Sequence, residues 1–218
     1  MSKSQMSNLP FFVIDFETGG LDPRQHDPVQ VAVQVLDPNT LQPLAEFSSY
    51  MKPDPARVSP EALAVNNLTL EQLADSPSPS EVLHDFVSFL EPFGKGLFVA
   101  HNAKFDYDFL QSWAERNGSG KVKLYKLFDH RIICTVQLAF TKFVLMEQSM
   151  TNVKLTDLTQ KFNIKHNAHE AMSDVQAAAE VLRMCLKSSF THKLVRGVKS
   201  AISERKINRL FESLKKHY

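Results

Sequence analysis

The hydrophobic pattern of the first fifty residues predicts three short strands. Residues 11–16 (FFVIDF) are β-branched or aromatic and are followed by Gly19 and Gly20. Residues 29–36 and 44–51 are also strand-like, and the turn-forming stretch DPNTLQP joins them. Short strands separated by short turns favour an antiparallel meander at the start of the chain.

The period of the pattern changes further along the chain, where apolar residues recur at helical spacing. The predicted elements are helices at 60–65 and 80–90, a short buried strand at 97–100, a helix at 104–117, a strand at 132–134, and helices at 135–146, 155–163 and 172–188. Strands followed by alternating strands and helices imply an α/β fold, in which helices pack on a mixed sheet.

Charge is distributed unevenly along the 218 residues, although the formal net charge is only +1. Residues 190–218 hold eight Lys or Arg and two Glu, a balance of +6, so the rest of the chain carries −5. We therefore divide the chain into a disordered N-terminus at 1–9, a folded domain at 10–189 and a basic amphipathic helical tail at 190–218. Such a tail suits phosphate binding, docking to another protein, or packing on its own domain with a solvated basic face.

The composition is that of an ordinary soluble protein, with 43% hydrophobic and 22% charged residues. No apolar run approaches the roughly 20 residues that a membrane helix needs, and FFVIDF is too short for a signal peptide. Cys134 and Cys185 are the only cysteines. We expect them to be thiols in a cytoplasmic protein without membrane association.

Two acids flank Phe16 at the end of the first predicted strand. Asp15 and Glu17 are two positions apart, so their side chains point to the same face of a strand. Taken alone, such a pair fits a solvated strand end equally well. The apolar residues before it favour a buried strand, where two carboxylates repel each other unless a cation lies between them.

Asp106 and Asp174 each share one face of a predicted helix with apolar residues, whereas Asp108 lies on a polar face and is expected at the surface. The apolar neighbours are Phe109, Leu110 and Trp113 for Asp106, and Ala177, Ala178, Val181 and Cys185 for Asp174. An inward carboxylate needs a partner, because burying it unpaired is costly. That partner is either a Lys or Arg side chain or a metal ion.

His169 stands five residues before Asp174. His166 and His169 form an H-x-x-H pair, but no cysteine pair or further histidine cluster completes a zinc site. Carboxylate ligands favour Mg²⁺ or Mn²⁺ instead. Two such ions about 4 Å apart can activate a water and stabilise the leaving oxygen of a phosphodiester, and a neutral histidine nearby can accept the proton of that water.

Three stretches resemble the exonuclease motifs of the DnaQ-like, or DEDD, superfamily. VIDFETGGLDP resembles the first motif, VAHNAKFDYDFL the second and HEAMSDVQAAAEVL the third, in the family's order, and the likeness covers roughly residues 10–187. Tyrosine-type relatives carry Tyr four residues before the last Asp. Glu170 holds that position here, which indicates the histidine (DEDDh) class.

The resemblance implies a ribonuclease H-like fold and metal-dependent 3′→5′ hydrolysis of single-stranded DNA or RNA to nucleoside 5′-monophosphates. It implies two Mg²⁺ ions, for which Mn²⁺ substitutes, with His169 as general base. The implied metal ligands are Asp15, Glu17, Asp106 and Asp174. The resemblance implies that Thr18, Gly19 and Leu21 hold the terminal nucleotide, and that His101 and Asn102 support the second motif. It also implies that the rings of Phe16, Phe105 and Phe109 contact bases, although Phe105 and Phe109 are equally suited to the core.

The chain departs from the family's pattern at three positions outside the five catalytic residues. Phe16 replaces the commoner Thr, Gln30 stands where relatives often have an acid, and Asn66 stands where many have His. The subfamily stays open, since the motifs resemble ribonuclease T and polymerase proofreading subunits about equally.

Two other functions stay open beside catalysis. One is a non-catalytic nucleic-acid-binding module on the same fold, although a degenerate copy would usually have lost one of the five catalytic residues. The other is an interaction module in which the tail docks a polymerase or another subunit. No residue identifies a contact to a 2′-hydroxyl, so the sequence does not distinguish DNA from RNA.

Overall fold

The structure, a computed structural model, describes residues 8–186, so the predicted basic tail and most of the predicted disordered N-terminus lie outside the described residues. Its centre is a five-stranded sheet. The strands are β1 (Phe11–Thr18), β2 (Pro28–Leu36), β3 (Pro43–Tyr50), β4 (Gly96–Ala100) and β5 (Phe128–Cys134). Their order is β3-β2-β1-β4-β5, with β1 to β3 antiparallel and β1, β4 and β5 parallel. The predicted mixed sheet, which starts with an antiparallel meander, is confirmed.

Helices connect and cover these strands. They are α1 (Pro60–Val65), α2 (Leu70–Leu73), α3 (Pro79–Leu90), α4 (Ala103–Asn117), α5 (Leu124–Leu127), α6 (Thr135–Ala139), α7 (Leu155–Phe162) and α8 (Ala171–Leu186). Short 3₁₀ turns occupy Pro55–Arg57 and Glu91–Phe93. No described helix has both the length and the apolar composition needed to span a bilayer.

The structure differs from the sequence-based elements in several places. Helices α2 and α5 were not predicted. The helix predicted at 135–146 is α6 followed by a π-helical turn at Phe140–Met146, where Glu147 donates its backbone N–H to Lys142 at 2.9 Å. Strand β5 starts at Phe128 rather than at residue 132, because Phe128 is buried in the core and pairs with Gly96 on β4. Asp129 is buried and ion-paired with Arg131.

The two faces of β1 pack against different helices. Phe12, Ile14 and Phe16 pack in one cluster with residues of α3 and α4, whereas Val13 packs in another cluster with residues of α8. Because side chains alternate along a strand, Asp15 and Glu17 continue the face of Val13. The end of β1 therefore directs both acids to the side of the sheet that α8 covers.

Candidate active site

Three carboxylates meet where β1 ends. Asp15 and Glu17 come from the strand, and Asp174 comes from the first turn of α8. One carboxylate oxygen from each of the three residues lies within 4.8 Å of the others. Sequence reasoning placed these acids together, and the structure brings them to one point from segments more than 150 residues apart in the chain.

Asp106 approaches the same strand end from the opposite side of the sheet. It lies in the first turn of α4, is only 3% exposed, and accepts the backbone N–H of Phe16 on Oδ1 at 3.3 Å. That N–H is available because the pairing of β1 with β4 ends at Val13. Asp108, by contrast, points outward and pairs with Lys104, as the helical period predicts.

The electrostatics of Asp15, Glu17 and Asp106 are those of crowded, poorly solvated carboxylates. Burial raises the pKa of Glu17 from 4.5 to about 7, and the charges of Asp174 and Glu170 add to the shift. Burial likewise raises the pKa of Asp106 to about 8. The pKa of Asp15 is well above its usual value, first through burial and then through the charge of Asp106.

A divalent cation fits this donor set. Within residues 8–186, none of the three clustered acids forms an ion pair with a lysine or arginine, so neither residue type compensates their mutual repulsion. A cation between the carboxylates would remove that repulsion, and all-oxygen donors match Mg²⁺ or Mn²⁺. The residues that would hold it are Asp15, Glu17 and Asp174, with Asp106 beside them.

His166 contacts this site, and sequence reasoning missed it. Its Nε2 contacts Oδ1 of Asp174, and its Nδ1 lies 3.1 Å from the hydroxyl oxygen of Thr159 on α7. The sequence prediction considered His166 only as half of a zinc pair with His169. Among the described residues, the candidate metal-ligand cluster contains neither histidine.

His169 holds Asp174 through its main chain. Its backbone N–H donates to Oδ2 of Asp174 at 3.2 Å, while its imidazole is exposed to solvent. The residue adopts a left-handed conformation with φ of 64°, which is uncommon for a residue other than glycine and often marks a functional site. Glu170, next in the chain, caps α8 by accepting the backbone N–H groups of Met172 and Ser173.

The loop that follows β1 carries the predicted contacts to a terminal nucleotide. Thr18 donates its hydroxyl to the carbonyl of Gly20 at 2.8 Å, and the backbone of Gly19 bonds to Asp27 and Ser59. A Cβ at Gly19 would lie 2.3 Å from Val58, so only glycine fits there. Leu21 is 84% exposed, and its side chain is free to meet a ligand.

The departures at Asn66 and Gln30 have structural explanations. The Asn66 side-chain amide donates to the carbonyl of Thr18 at 3.0 Å and so supports the loop after β1. Gln30 bonds to Ser48 on β3 and accepts the backbone N–H of Ala171 at 3.5 Å, which ties the sheet to the start of α8. Both residues therefore act as neutral connectors beside the acids.

A buried ion-pair cluster, which sequence reasoning did not find, fastens the same loop to α4. Asp27 accepts from Arg57 Nε at 2.7 Å and from a terminal nitrogen of Arg116 at 3.0 Å. Arg116 also donates to the carbonyls of Pro23 and His26. We call Asp27, Arg57 and Arg116 the Asp27 cluster. It fixes both the far end and the middle of the loop that carries Leu21.

The remaining predicted substrate residues lie in or near the second motif. Burial lowers the pKa of His101 to about 4, so the ring is neutral, and its Nδ1 lies 2.9 Å from Thr135 Oγ1. Asn102 has a left-handed conformation with φ of 75° at the start of α4. Both residues thus shape the turn that leads Asp106 into the site.

The aromatic rings correct part of the stacking prediction. Phe16 is 5% exposed with its ring edge-on to Trp113, and Phe109 is fully buried, so neither presents a free face to a base. Phe105 is partly exposed and packs against Phe109 with ring centroids 4.9 Å apart. Of the three rings, only that of Phe105 is partly exposed.

Comparison with known proteins identifies a family and several relatives that this chain resembles. A family model described as Exonuclease, RNase_T, matches residues 12–182. The chain is 31% identical over 180 residues to the PolC-type DNA polymerase III of Thermotoga petrophila, covering 82% of this chain and 12% of that protein. It is 28% identical over 176 residues to the DNA polymerase III epsilon subunit of Treponema pallidum, covering 80% and 75%.

The fold has a solved counterpart as well. A structure of E. coli exonuclease I in complex with a 5cy-dT13 oligonucleotide superposes with a TM-score of 0.72 at 17% identity, over 93% of this chain and 45% of that one. The chain thus spans only a small part of the PolC-type polymerases that it matches, and less than half of exonuclease I. Because the family model covers most of the described domain, the chain belongs to the RNase_T exonuclease family.

Proposed function

We propose that this protein is a divalent-metal-dependent 3′→5′ exonuclease that hydrolyses single-stranded nucleic acid to nucleoside 5′-monophosphates. The observation that carries the proposal is the convergence of Asp15, Glu17 and Asp174 within 4.8 Å, with Asp106 buried beside them. Family membership supports it, since the matched residues, 12–182, contain all four acids. The proposed domain is residues 10–189.

The four acids have the role of ligands in this proposal. Bound Mg²⁺ or Mn²⁺ supplies the charge that activates a water and stabilises the leaving oxygen of a phosphodiester. Asp15 and Glu17 are held in position by the sheet, and Asp174 by its contacts to the segment before α8. Asp106 is oriented by the Phe16 N–H. These fixed orientations reduce the reorganisation needed when the ion binds.

His169 is the proposed general base. Its imidazole is exposed, it stands five residues before Asp174, and its backbone is fixed by the hydrogen bond to that residue. The left-handed backbone at His169 accompanies the hydrogen bond of its N–H to Asp174, and the side chain is exposed to solvent. Such a residue accepts the proton of the attacking water when a substrate orders the ring.

Leu21 and Phe105 are the proposed apolar contacts for the terminal bases. Both have exposed surface, one on the loop after β1 and the other on the first turn of α4. Apolar and aromatic contacts tolerate any base, which suits a nuclease without sequence preference. Thr18 and Gly19 would position the same nucleotide through the backbone of the loop.

Single-stranded DNA is the substrate that we propose first. Two of the relatives are a DNA polymerase and a DNA polymerase subunit, and the solved exonuclease I was bound to a dT13 oligonucleotide. The same relatives make a polymerase or another subunit the partner that we propose for the basic tail at 190–218. RNA of equal sequence is the necessary comparison in every assay.

The test is a cleavage assay on 5′-labelled single-stranded DNA and RNA, with Mg²⁺, with Mn²⁺ and with EDTA. We expect a ladder that shortens from the 3′ end and disappears with EDTA. The Asp106→Asn variant should lose this activity, and the Asp108→Asn variant, altered two residues away on the exposed face of the same helix, should keep it. Binding of the oligonucleotide without cleavage under all conditions would support a non-catalytic module instead.

A further inference from the structure

A four-residue segment before α8 holds both oxygens of Asp174. Oδ1 contacts Nε2 of His166, and Oδ2 accepts the backbone N–H of His169 at 3.2 Å. Asp174 is the only member of the carboxylate cluster on α8, so its direction is not set by the sheet. Its two donors therefore determine where its free lone pairs point.

The ring of His166 is itself held in one orientation. Its side chain is 6% exposed, and its Nδ1 lies 3.1 Å from Oγ1 of Thr159. Thr159 is buried on α7, and its hydroxyl donates to the carbonyl of Thr156 at 3.0 Å. Both ring nitrogens thus have partners, and the contacts form a chain from α7 through Thr159 and His166 to Asp174.

We infer that His166, anchored by Thr159, is a positioning residue that fixes the carboxylate of Asp174 for metal binding. The inference rests on the proposed function. A ligating carboxylate can accept a hydrogen bond on one lone pair and still offer another lone pair to a cation. Fixing that geometry in advance matters here, because Asp15 and Glu17 repel Asp174 in the absence of an ion.

The inference requires an N–H donor at the place of Nε2 rather than an imidazole as such. His166→Ala should weaken Mn²⁺ binding by about 10–100-fold, the range typical of residues that orient metal ligands. His166→Gln places an amide N–H near the position of Nε2 and should restore most of that loss. Thr159→Val removes only the anchoring hydroxyl at nearly constant volume, so it should act in the same direction with a smaller effect.

The experiment is a Mn²⁺ titration of the full-length protein, followed by electron paramagnetic resonance of the free ion. It compares wild type with His166→Ala, His166→Gln and Thr159→Val. His84→Gln, at an exposed histidine on α3, is the matched control. Thermal unfolding of each metal-free variant verifies that it is folded. If His166→Ala does not fold, Thr159→Val still tests the inference, because it retains the imidazole and removes only its anchor. Cleavage of a 5′-labelled thymidine oligonucleotide is the second readout.

The outcomes are distinct. Weakened binding in His166→Ala and Thr159→Val, with recovery in His166→Gln, supports the positioning role. Wild-type affinity in all three variants overturns it and leaves the proposed exonuclease intact. A His166→Gln variant as weak as His166→Ala overturns it too, because the imidazole would then be a ligand itself. A wild-type protein that neither binds Mn²⁺ nor cleaves the oligonucleotide overturns the proposed function and this inference with it.

Discussion

The backbone N–H of Phe16 donates to Oδ1 of Asp106 at 3.3 Å, across 90 residues of sequence. This bond exists because β4 stops pairing with β1 at Val13, so the last part of β1 has unpaired backbone groups on one edge. Helix α4 begins directly after β4 and brings Asp106 to that edge. The end of β4 and the start of α4 thus bring Asp106 to the end of β1, which also carries Asp15 and Glu17.

Asp106→Asn should abolish most of the activity while leaving the fold intact. The amide retains an oxygen that can accept from Phe16, so the backbone contact survives, but the negative charge is lost. We expect a fall in kcat larger than the roughly 10–100-fold typical of residues that only orient ligands. Asp108→Asn removes a carboxylate that pairs with Lys104 at the surface and should change kcat little. Equal activity in the two variants would contradict the assignment of Asp106.

The metal-free protein should become less stable as the pH rises from about 4 to about 8. Folding raises the pKa of Glu17 from 4.5 to about 7 and that of Asp106 from 3.8 to about 8. Between the unfolded and folded values, the folded state binds more protons than the unfolded state. The stability present at low pH is therefore lost through this interval.

Thermal unfolding in EDTA at several pH values measures this effect. Millimolar Mg²⁺ should raise Tm most at the high end of the interval, because the ion binds only the folded state and binds the ionised acids best. Glu17→Gln removes one of the shifted groups and should flatten the pH profile. A metal-free Tm that rises from pH 5 to pH 8 would contradict this electrostatic account.

His169→Ala should separate proton transfer from metal binding. Loss of a general base lowers the rate by about 10²–10⁴-fold. The exposed imidazole makes no contact with the carboxylates, and the alanine variant keeps the backbone N–H that holds Asp174. Mn²⁺ affinity should therefore stay near the wild-type value, in contrast to His166→Ala. A fully active His169→Ala variant would show that another group accepts the proton.

Arg116→Ala should act on the loop after β1 through the Asp27 cluster. The substitution removes donors to Asp27, Pro23 and His26, and should lower the free energy of unfolding by about 1–3 kcal/mol. It should also raise KM more than it lowers kcat, because the loop that carries Leu21 is released while the acids stay in place. Steady-state kinetics and urea unfolding measure both effects.

Arg24→Ala is the control for that prediction. Arg24 lies on the same loop, but its side chain is 88% exposed, and its ion pair with Asp22 is a surface contact. Such exposed pairs contribute little to stability, so the free energy of unfolding and KM should hardly change. If the two arginine variants raise KM equally, the Asp27 cluster does not position the loop.

Much of the site could be predicted from the local periodicity of the sequence. The two-residue period of β1 put Asp15 and Glu17 on one face, and the helical period separated the inward Asp106 from the outward Asp108. These inferences need only the spacing of neighbours along one element. For the same reason the bounds of β1, β2 and α4 agree with the predicted ones to within one or two residues.

The features that the sequence did not predict depend on distant pairs. Asp27 and Arg116 are 89 residues apart, and His166 meets partners on both α7 and α8. No local sequence pattern indicates contacts between residues that are so far apart in the chain. Phe16 also shows this limit, because the family resemblance implied a stacking ring, while the packing of α4 buries it against Trp113. At α2 and α3 a local signal was overlooked, namely the capping boxes of Thr69 with Gln72 and of Ser78 with Glu81.

The most direct test of the central claim is the cleavage of 5′-labelled single-stranded DNA by wild type and by Asp15→Ala. We predict that wild type with Mg²⁺ shortens the strand progressively from its 3′ end. EDTA should stop the reaction, and Asp15→Ala should be inactive even with Mg²⁺, because one of the three converging carboxylates is then missing. Cleavage by Asp15→Ala at the wild-type rate, or cleavage by wild type in EDTA, would contradict the account.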